Sequence, residues 1–179
     1  EVITGFGRLG EWFGADYFDT RPDFMPFAKG VSSGYLPLGG VYVSDRVADV
    51  LIEKGGEFFH GYTYSGHPVS CAVALANLKL IRRENLVTRI RDDIGPYLQE
   101  KWQALTDHPL VGDARMVGLM GAFELVRKKQ PIERFDEKQR AGVVLRDHLL
   151  EGGVCMRAVG DTIICAPPFV LSHSEADEM

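Results

Sequence analysis

The stretch PDFMPFAKGVSSGYLPLGGVYVS, residues 22–44, decides how the rest of the chain is read. The run Asp23 to Ala28 is a short apolar approach that ends on Lys29, and Gly30 follows at once. The loop from Ser32 to Gly40 then holds Gly34, Gly39, Gly40 and Pro37. A lysine whose stem is packed and whose amine faces a cavity of small residues can lose its proton near neutral pH, attack a carbonyl and form a Schiff base. The plain alternative is a lysine on a surface turn.

Outward from this stretch, Gly39–Val43 reads as a strand, with Ser44-Asp45 capping a helix that runs to Lys54 and ends at Gly55-Gly56. Residues 58–68 form an aromatic and hydroxyl-rich loop too polar for a strand core. Pro68 suits the first turn of a helix continuing to Arg83. A second helix, about Val87 to Leu105, aligns Ile90, Ile94, Leu98 and Trp102 on one core-facing stripe, with a kink expected at Pro96. His108–Asp113 reads as a connection and Gly118–Val126 as a strand with Glu124 as its odd member. Lys128–Asp136 reads as a polar excursion. A third helix is expected over Glu137–Leu150. Val154–Arg157 and Thr162–Ala166 read as a hairpin, and Ser172 with Glu175 as a capping box on a final helix.

Upstream, Gly5-Phe6-Gly7-Arg8-Leu9-Gly10 resembles part of a dinucleotide fingerprint. The residues after it, Trp12, Phe13, Tyr17, Phe18 and Pro22, do not continue into the helix and strand that such a motif requires, so a Rossmann reading is rejected. The order divides the chain into a loop-rich α/β part and, from about Arg83, a compact α+β unit.

Several function classes are excluded or weakened. The net charge of −5 and the absence of a basic stripe argue against nucleic-acid binding. No run is long and apolar enough for a membrane span or a signal peptide. Cys71, Cys155 and Cys165 make neither a disulfide framework nor a zinc spacing, and are expected as buried free thiols in a reducing compartment. His60 and His67 share a loop while His108, His148 and His173 stand alone, so no metal site is expected. The start at Glu1 and the end at Met179 read as the edges of a piece of a larger subunit.

Two further positions carry chemistry beside Lys29. Thr63 and Ser65 lie ahead of the Pro68 helix, where hydroxyls and backbone N–H groups can hold a phosphate; the plain reading is that one of them is the N-cap. Arg157 follows a strand and needs a carboxylate or phosphate partner. Asp161 is the structural choice and a substrate carboxylate the functional one. A Schiff-base lysine, a phosphate-holding loop and a carboxylate-binding arginine together suggest an aldehyde cofactor anchored by its phosphate, pyridoxal 5′-phosphate (PLP).

On these residues, with EVITGFGRLGEWFG, HGYTYSGHPVSCAVALAN and MRAVGDTIICAPPFVLSHSEADEM added to residues 22–44, the chain resembles the C-terminal half of a class III, fold type I, PLP-dependent aminotransferase, nearest the ω-amino acid and amine:pyruvate aminotransferases. The resemblance implies an α/β fold. Residues 1–83 would be the C-terminal part of a three-layer α/β/α cofactor domain, and residues 84–179 a small α+β domain truncated in its last helix. It implies that Lys29 binds the cofactor and shuttles the substrate proton, that Thr63 binds the cofactor phosphate from the partner subunit, and that Arg157 accepts the keto-acid carboxylate. It also implies a homodimer or higher homo-oligomer with the site at the interface, a small-molecule amine and a keto acid as substrates, and a cytoplasmic enzyme. A ring-nitrogen aspartate is expected one position before Glu1, with the phosphate loop and stacking aromatic further upstream. The alternatives are a 2-oxoglutarate-dependent aminotransferase of the same class, an aminomutase of that class, against which the Ala-Pro-Pro context of Arg157 argues by favouring amino transfer, and a non-catalytic domain that keeps the fold.

Overall fold

A computed structural model describes all residues, 1–179. The chain divides into two compact units, Glu1–Val87 and Thr88–Met179. No helix is long and apolar enough to cross a membrane.

In the first unit, the short helix α1 (Gly14–Tyr17) precedes β1 (Phe24–Phe27), which pairs antiparallel with β2 (Gly40–Val43) in the register Phe24↔Val43 to Phe27↔Gly40. Gly40 is required at the end of that ladder, because a Cβ there would lie 2.5 Å from the Phe27 ring. Helix α2 (Asp45–Lys54) starts after Ser44 as expected, but the Ser44 hydroxyl does not cap it: it donates instead to Asp23 Oδ1 at 2.7 Å. Helix α3 (Pro68–Arg83) begins on its proline, which fits there because the first helical N–H has no intrahelical acceptor. Ser70, Ala74 and Ile81 are buried on one side of it. Phe6, Val31 and Ala74 form the small core of this unit, with Phe13, Phe27, Leu38 and Leu78 packed around them.

The second unit holds the larger core. The expected single helix 87–105 is instead α4 (Leu86–Arg89), a π-helical turn Ile90–Ile94, and α5 (Gly95–Ala104). Pro96 lacks the N–H that an α-helical ladder needs, and the widened turn absorbs the defect: Gly95 N–H donates to Ile90 O, five residues back. The stripe is nonetheless core as read. Ile90, Ile94, Leu98 and Trp102 are all buried, and the Trp102 indole N–H donates to Ala122 O at 3.1 Å.

Four strands form an antiparallel sheet in the order β3-β4-β6-β5 (Val111–Val117, Met120–Leu125, Thr162–Cys165 and Arg157–Val159). Three expectations are corrected here. The segment from Val111, expected as connection, is strand β3. Val111, Ala114 and Met116 face the core, while a register shift between Val111 and Asp113 breaks the alternation that a sequence reading relies on. The expected helix 137–150 is a 3-10 turn (Glu137–Gln139) capped by Asp136, a left-handed Arg140 (φ 48°), and α6 (Ala141–Glu151). The first hairpin strand is Arg157–Val159 rather than Val154–Arg157, so Arg157 opens the strand instead of closing it. Helix α7 (His173–Glu178) carries the expected reciprocal capping box between Ser172 and Glu175. Of the free cysteines, Cys165 is buried, Cys71 is half-buried and Cys155 is exposed, so the expected burial holds fully only for Cys165.

Candidate active site

Strand β1 delivers the chain to Lys29. There the backbone turns through one 3-10 turn (Lys29–Val31), held by Val31 N–H to Ala28 O and Ser32 N–H to Lys29 O, both at 3.2 Å. Lys29 itself is left-handed, with φ 41°, a region that side chains other than glycine rarely occupy. The glycine after it is a packing requirement. A Cβ on Gly30 would lie 3.1 Å from Gly5 O and 3.4 Å from the Phe6 side chain, so the glycine-rich loop seats directly against the lysine turn. Val31 anchors the turn in the core, and the buried Ser32 hydroxyl closes the next one by donating to Leu36 O at 2.7 Å. The Lys29 side chain is exposed and makes no hydrogen bond or ion pair within the chain. Residues 1–179 alone do not cover its stem. What the chain fixes is the backbone under the lysine.

The loop seated on Gly30 has its own anchor. The carboxylate of Glu1 accepts from Thr4 Oγ1 (2.6 Å), Gly14 N–H (2.9 Å) and Ala15 N–H (2.8 Å). Partial burial works against its ionisation, but these hydrogen bonds outweigh it and hold the Glu1 carboxyl below the usual carboxylate range. One residue that tethers the lysine turn escaped the sequence reading. Asn77, on α3, donates to the carbonyls of Gly30 (2.9 Å) and Val31 (3.0 Å) and accepts from Ser33 Oγ (2.9 Å). The only signal in the sequence is a lone amide one turn after Ala74 on an otherwise small and apolar helix face.

Thr63 lies in a tight turn ahead of α3. Neither it nor Ser65 is the N-cap. That position belongs to His67, and no side chain caps the helix. The Ser65 hydroxyl is taken by the backbone, accepting from Tyr62 N–H at 3.0 Å, while the Thr63 hydroxyl is exposed and unengaged. The aromatic residues beside it, Phe58, Phe59, Tyr62 and Tyr64, are 70–86% exposed.

Arg157 belongs to the second unit. Its guanidinium has no hydrogen bond or ion pair there, and Asp161 accepts instead from Gly142 N–H at 3.1 Å. The structural partner considered for Arg157 is thus occupied elsewhere. An apolar cavity of about 600 Å³ in the same unit, lined by Trp102, Phe123, Leu149 and Met156 among others, contains none of the three candidate residues. Lys29 and Thr63 lie in one unit and Arg157 in the other.

The model of the aminotransferase class-III family matches residues 1–179. The chain belongs to the class III aminotransferases. It is 53% identical over 179 residues to a putrescine–pyruvate aminotransferase of Pseudomonas aeruginosa, covering all of this chain and 39% of that protein. It is 42% identical over 182 residues to the mitochondrial gamma aminobutyrate transaminase 1 of Solanum lycopersicum, covering 35% of that protein. Among solved structures it matches a thermostable (S)-enantioselective omega-transaminase from Thermomicrobium roseum with a TM-score of 0.93 and 44% identity, covering 99% of this chain and 40% of that one. It also matches the PMP-bound form of an aminotransferase from Vibrio fluvialis, with a TM-score of 0.94 and 32% identity over 100% of this chain and 40% of that one. The chain therefore spans about two fifths of the length of these relatives. Its fold is that of the fold type I transaminases.

Class III aminotransferases work with PLP, and the donor set of this class III chain fits it. Lys29 offers a primary amine with no competing partner on a backbone held from several sides, and Thr63 offers a hydroxyl that the helix start does not consume.

Proposed function

We propose that this chain is the lysine-bearing part of an aminotransferase that moves an amino group from a diamine, ω-amino acid or primary amine to pyruvate. The observation that carries the reading is the 53% identity, over the full chain, to the putrescine–pyruvate aminotransferase. Residues 1–83 serve as part of the large cofactor domain and 84–179 as the small domain.

When bound, PLP supplies an aldehyde and an electron sink for the carbon that carries the amino group. Lys29 Nζ would hold the cofactor between turnovers and, once released by the incoming amine, would carry the proton from that carbon to the position next to it. The Thr63 hydroxyl would donate to the cofactor phosphate of a second subunit, which calls for a homodimer or a higher homo-oligomer; the cytoplasm is the compartment proposed for it. The Arg157 guanidinium, unpaired within the chain, takes the carboxylate of the keto acid through a bidentate pair. A planar fork suits a carboxylate that must be gripped in one half of the reaction and released for a carboxylate-free amine in the other.

The likeness to gamma aminobutyrate transaminases favours 4-aminobutyrate as a second donor to include. The test is a panel on the full-length enzyme: putrescine, β-alanine, 4-aminobutyrate and an aryl amine, each with pyruvate or 2-oxoglutarate. Alanine formation from putrescine and pyruvate is expected. Glutamate as the preferred product would overturn the choice of acceptor, and no amino transfer from any donor would overturn the activity.

A further inference from the structure

Lys29 combines two properties that conflict. It is the residue whose amine must be aimed, and it sits in a left-handed backbone that an L-amino acid leaves readily when nothing holds it. The Cα–Cβ direction of a residue follows its φ and ψ, so a turn that relaxes swings the lysine stem even when the fold around it survives. Ser33, four residues on, is also left-handed, with φ 49°. Two strained positions in one short loop call for a restraint between them.

We propose that Asn77 is a positioning residue for Lys29. Its side-chain amide ties together the carbonyls of Gly30 and Val31 and the hydroxyl of Ser33, and so keeps the lysine turn in one conformation. The proposal rests on the reading that Lys29 is the cofactor-binding lysine.

The geometry accounts for the residue type. The two N–H bonds of the Nδ2 group go to two successive carbonyls, at 2.9 and 3.0 Å, and Oδ1 accepts from Ser33 at 2.9 Å. An amide is the short side chain that offers two donors and an acceptor in one plane. Asp has nearly the same shape but only acceptors at neutral pH, and would set a negative oxygen against two carbonyl oxygens. The anchor point is itself fixed. Asn77 is half-buried, and one turn back along α3 Ala74 packs on Phe6 and Val31. Because α3 is the helix that follows the Thr63 turn, the same element that carries the threonine loop at its start clamps the lysine turn from its middle.

The test uses the full-length enzyme with Asn77→Ala, Asn77→Asp and Ser33→Ala, and it has a readout that needs no cofactor. In the apo protein, backbone hydrogen exchange across residues 28–35 is expected to quicken in both Asn77 variants, and less in Ser33→Ala, while exchange across α3 stays as in the parent. In the loaded enzyme, kcat is expected to fall about 10- to 100-fold, as for a misaimed catalytic group, with KM for the amine changed less than about twofold. Asn77→Asp should do no better than Asn77→Ala, although it is closer in shape. If Asn77→Ala is too unstable to purify, Asn77→Asp and the exposed Ser33→Ala decide the matter by the same exchange measurement. Parent-like exchange across 28–35 in the Asn77 variants, or a loss confined to KM, would overturn the clamp while leaving the proposed reaction intact. Turnover retained by Lys29→Ala would overturn the reaction on which the clamp depends.

Discussion

The carboxylate of Asp161 accepts the backbone N–H of Gly142 at 3.1 Å and leaves Arg157, at the start of the same hairpin, with no partner in the chain. Asp161 thereby joins the turn after β5 to the first turn of α6, a structural task, and a guanidinium remains unpaired. Arg157→Ala is expected to raise KM for pyruvate about 10- to 100-fold, the loss that goes with removing hydrogen bonds to a charged group. The half-reaction with putrescine, which has no carboxylate, should change less than about twofold. Asp161→Ala should do the reverse, lowering Tm while leaving KM for pyruvate in place. Half-reaction kinetics and a thermal melt separate the two, and an equal rise in KM from both variants would refute the division of labour.

Lys29→Ala is expected to lower turnover by more than about 10⁴-fold, the upper range for removing a positioned acid–base group that also forms the covalent link. Cofactor should still bind weakly through its phosphate. Borohydride reduction of the parent enzyme, followed by peptide mass analysis, should place the added mass on the peptide containing Lys29. Label on any other lysine would show the assignment to be wrong.

How much of this was legible depends on the range of the forces involved. The capping box of Ser172 and Glu175, the proline start of α3 and the stripe Ile90, Ile94, Leu98 and Trp102 are local patterns set by neighbours within a few turns, and each was readable. Strand β3 was missed because Gly112 and Asp113 are poor strand formers and the register shift beside them hides the alternation. Its pairing partners on β4 and the Arg115–Glu124 ion pair supply what the local sequence does not. The break at Arg140 was missed because a left-handed residue leaves no mark in hydrophobic periodicity. The candidates Lys29, Thr63 and Arg157 could be proposed from residue type and from the family resemblance. The tether could not: Asn77 reaches the lysine turn from 46 and 47 residues away.

Gly142, like Gly30 and Gly40, has no room for a side chain. A Cβ there would lie 2.1 Å from Gly160 O and 3.0 Å from Asp161 Cα, and both are main chain that cannot rotate away. Gly142→Ala should destabilise the second unit by about 3 kcal/mol or more, at or beyond the usual cost of overpacking, and should break the Asp161 contact with it. Denaturant unfolding gives the number. A change below about 0.5 kcal/mol, the range of an indifferent surface substitution, would show that α6 and the hairpin turn do not meet this closely.

The tie between α7 and α5 sets a pH dependence. Asp177 Oδ1 accepts from Lys101 Nζ at 2.6 Å and from the Tyr97 hydroxyl at 2.7 Å. These two bonds, Lys101 first, hold the Asp177 carboxyl below its ordinary 3.8, and the same contact raises Lys101 and Tyr97. A carboxylate with a depressed folded-state pKa binds fewer protons folded than unfolded as the pH passes through that region. Its stabilising effect is therefore present above the unfolded value and is lost as the pH falls through the folded one. Lys101 has the opposite sign: its contribution is present below its unfolded value and is lost only in the alkaline range, above 10.5. Between these limits Asp177 and Lys101 keep opposite charges. The difference in Tm between the parent protein and Asp177→Ala should stay open through neutral pH and close as the pH falls below 3.8. The two charged groups, Asp177 and Lys101, are exposed and Tyr97 is half-buried beside them, so added salt should shrink the gap at pH 7. A gap that persists undiminished in strong acid would mean that Asp177 acts through packing of α7 and not through its charge.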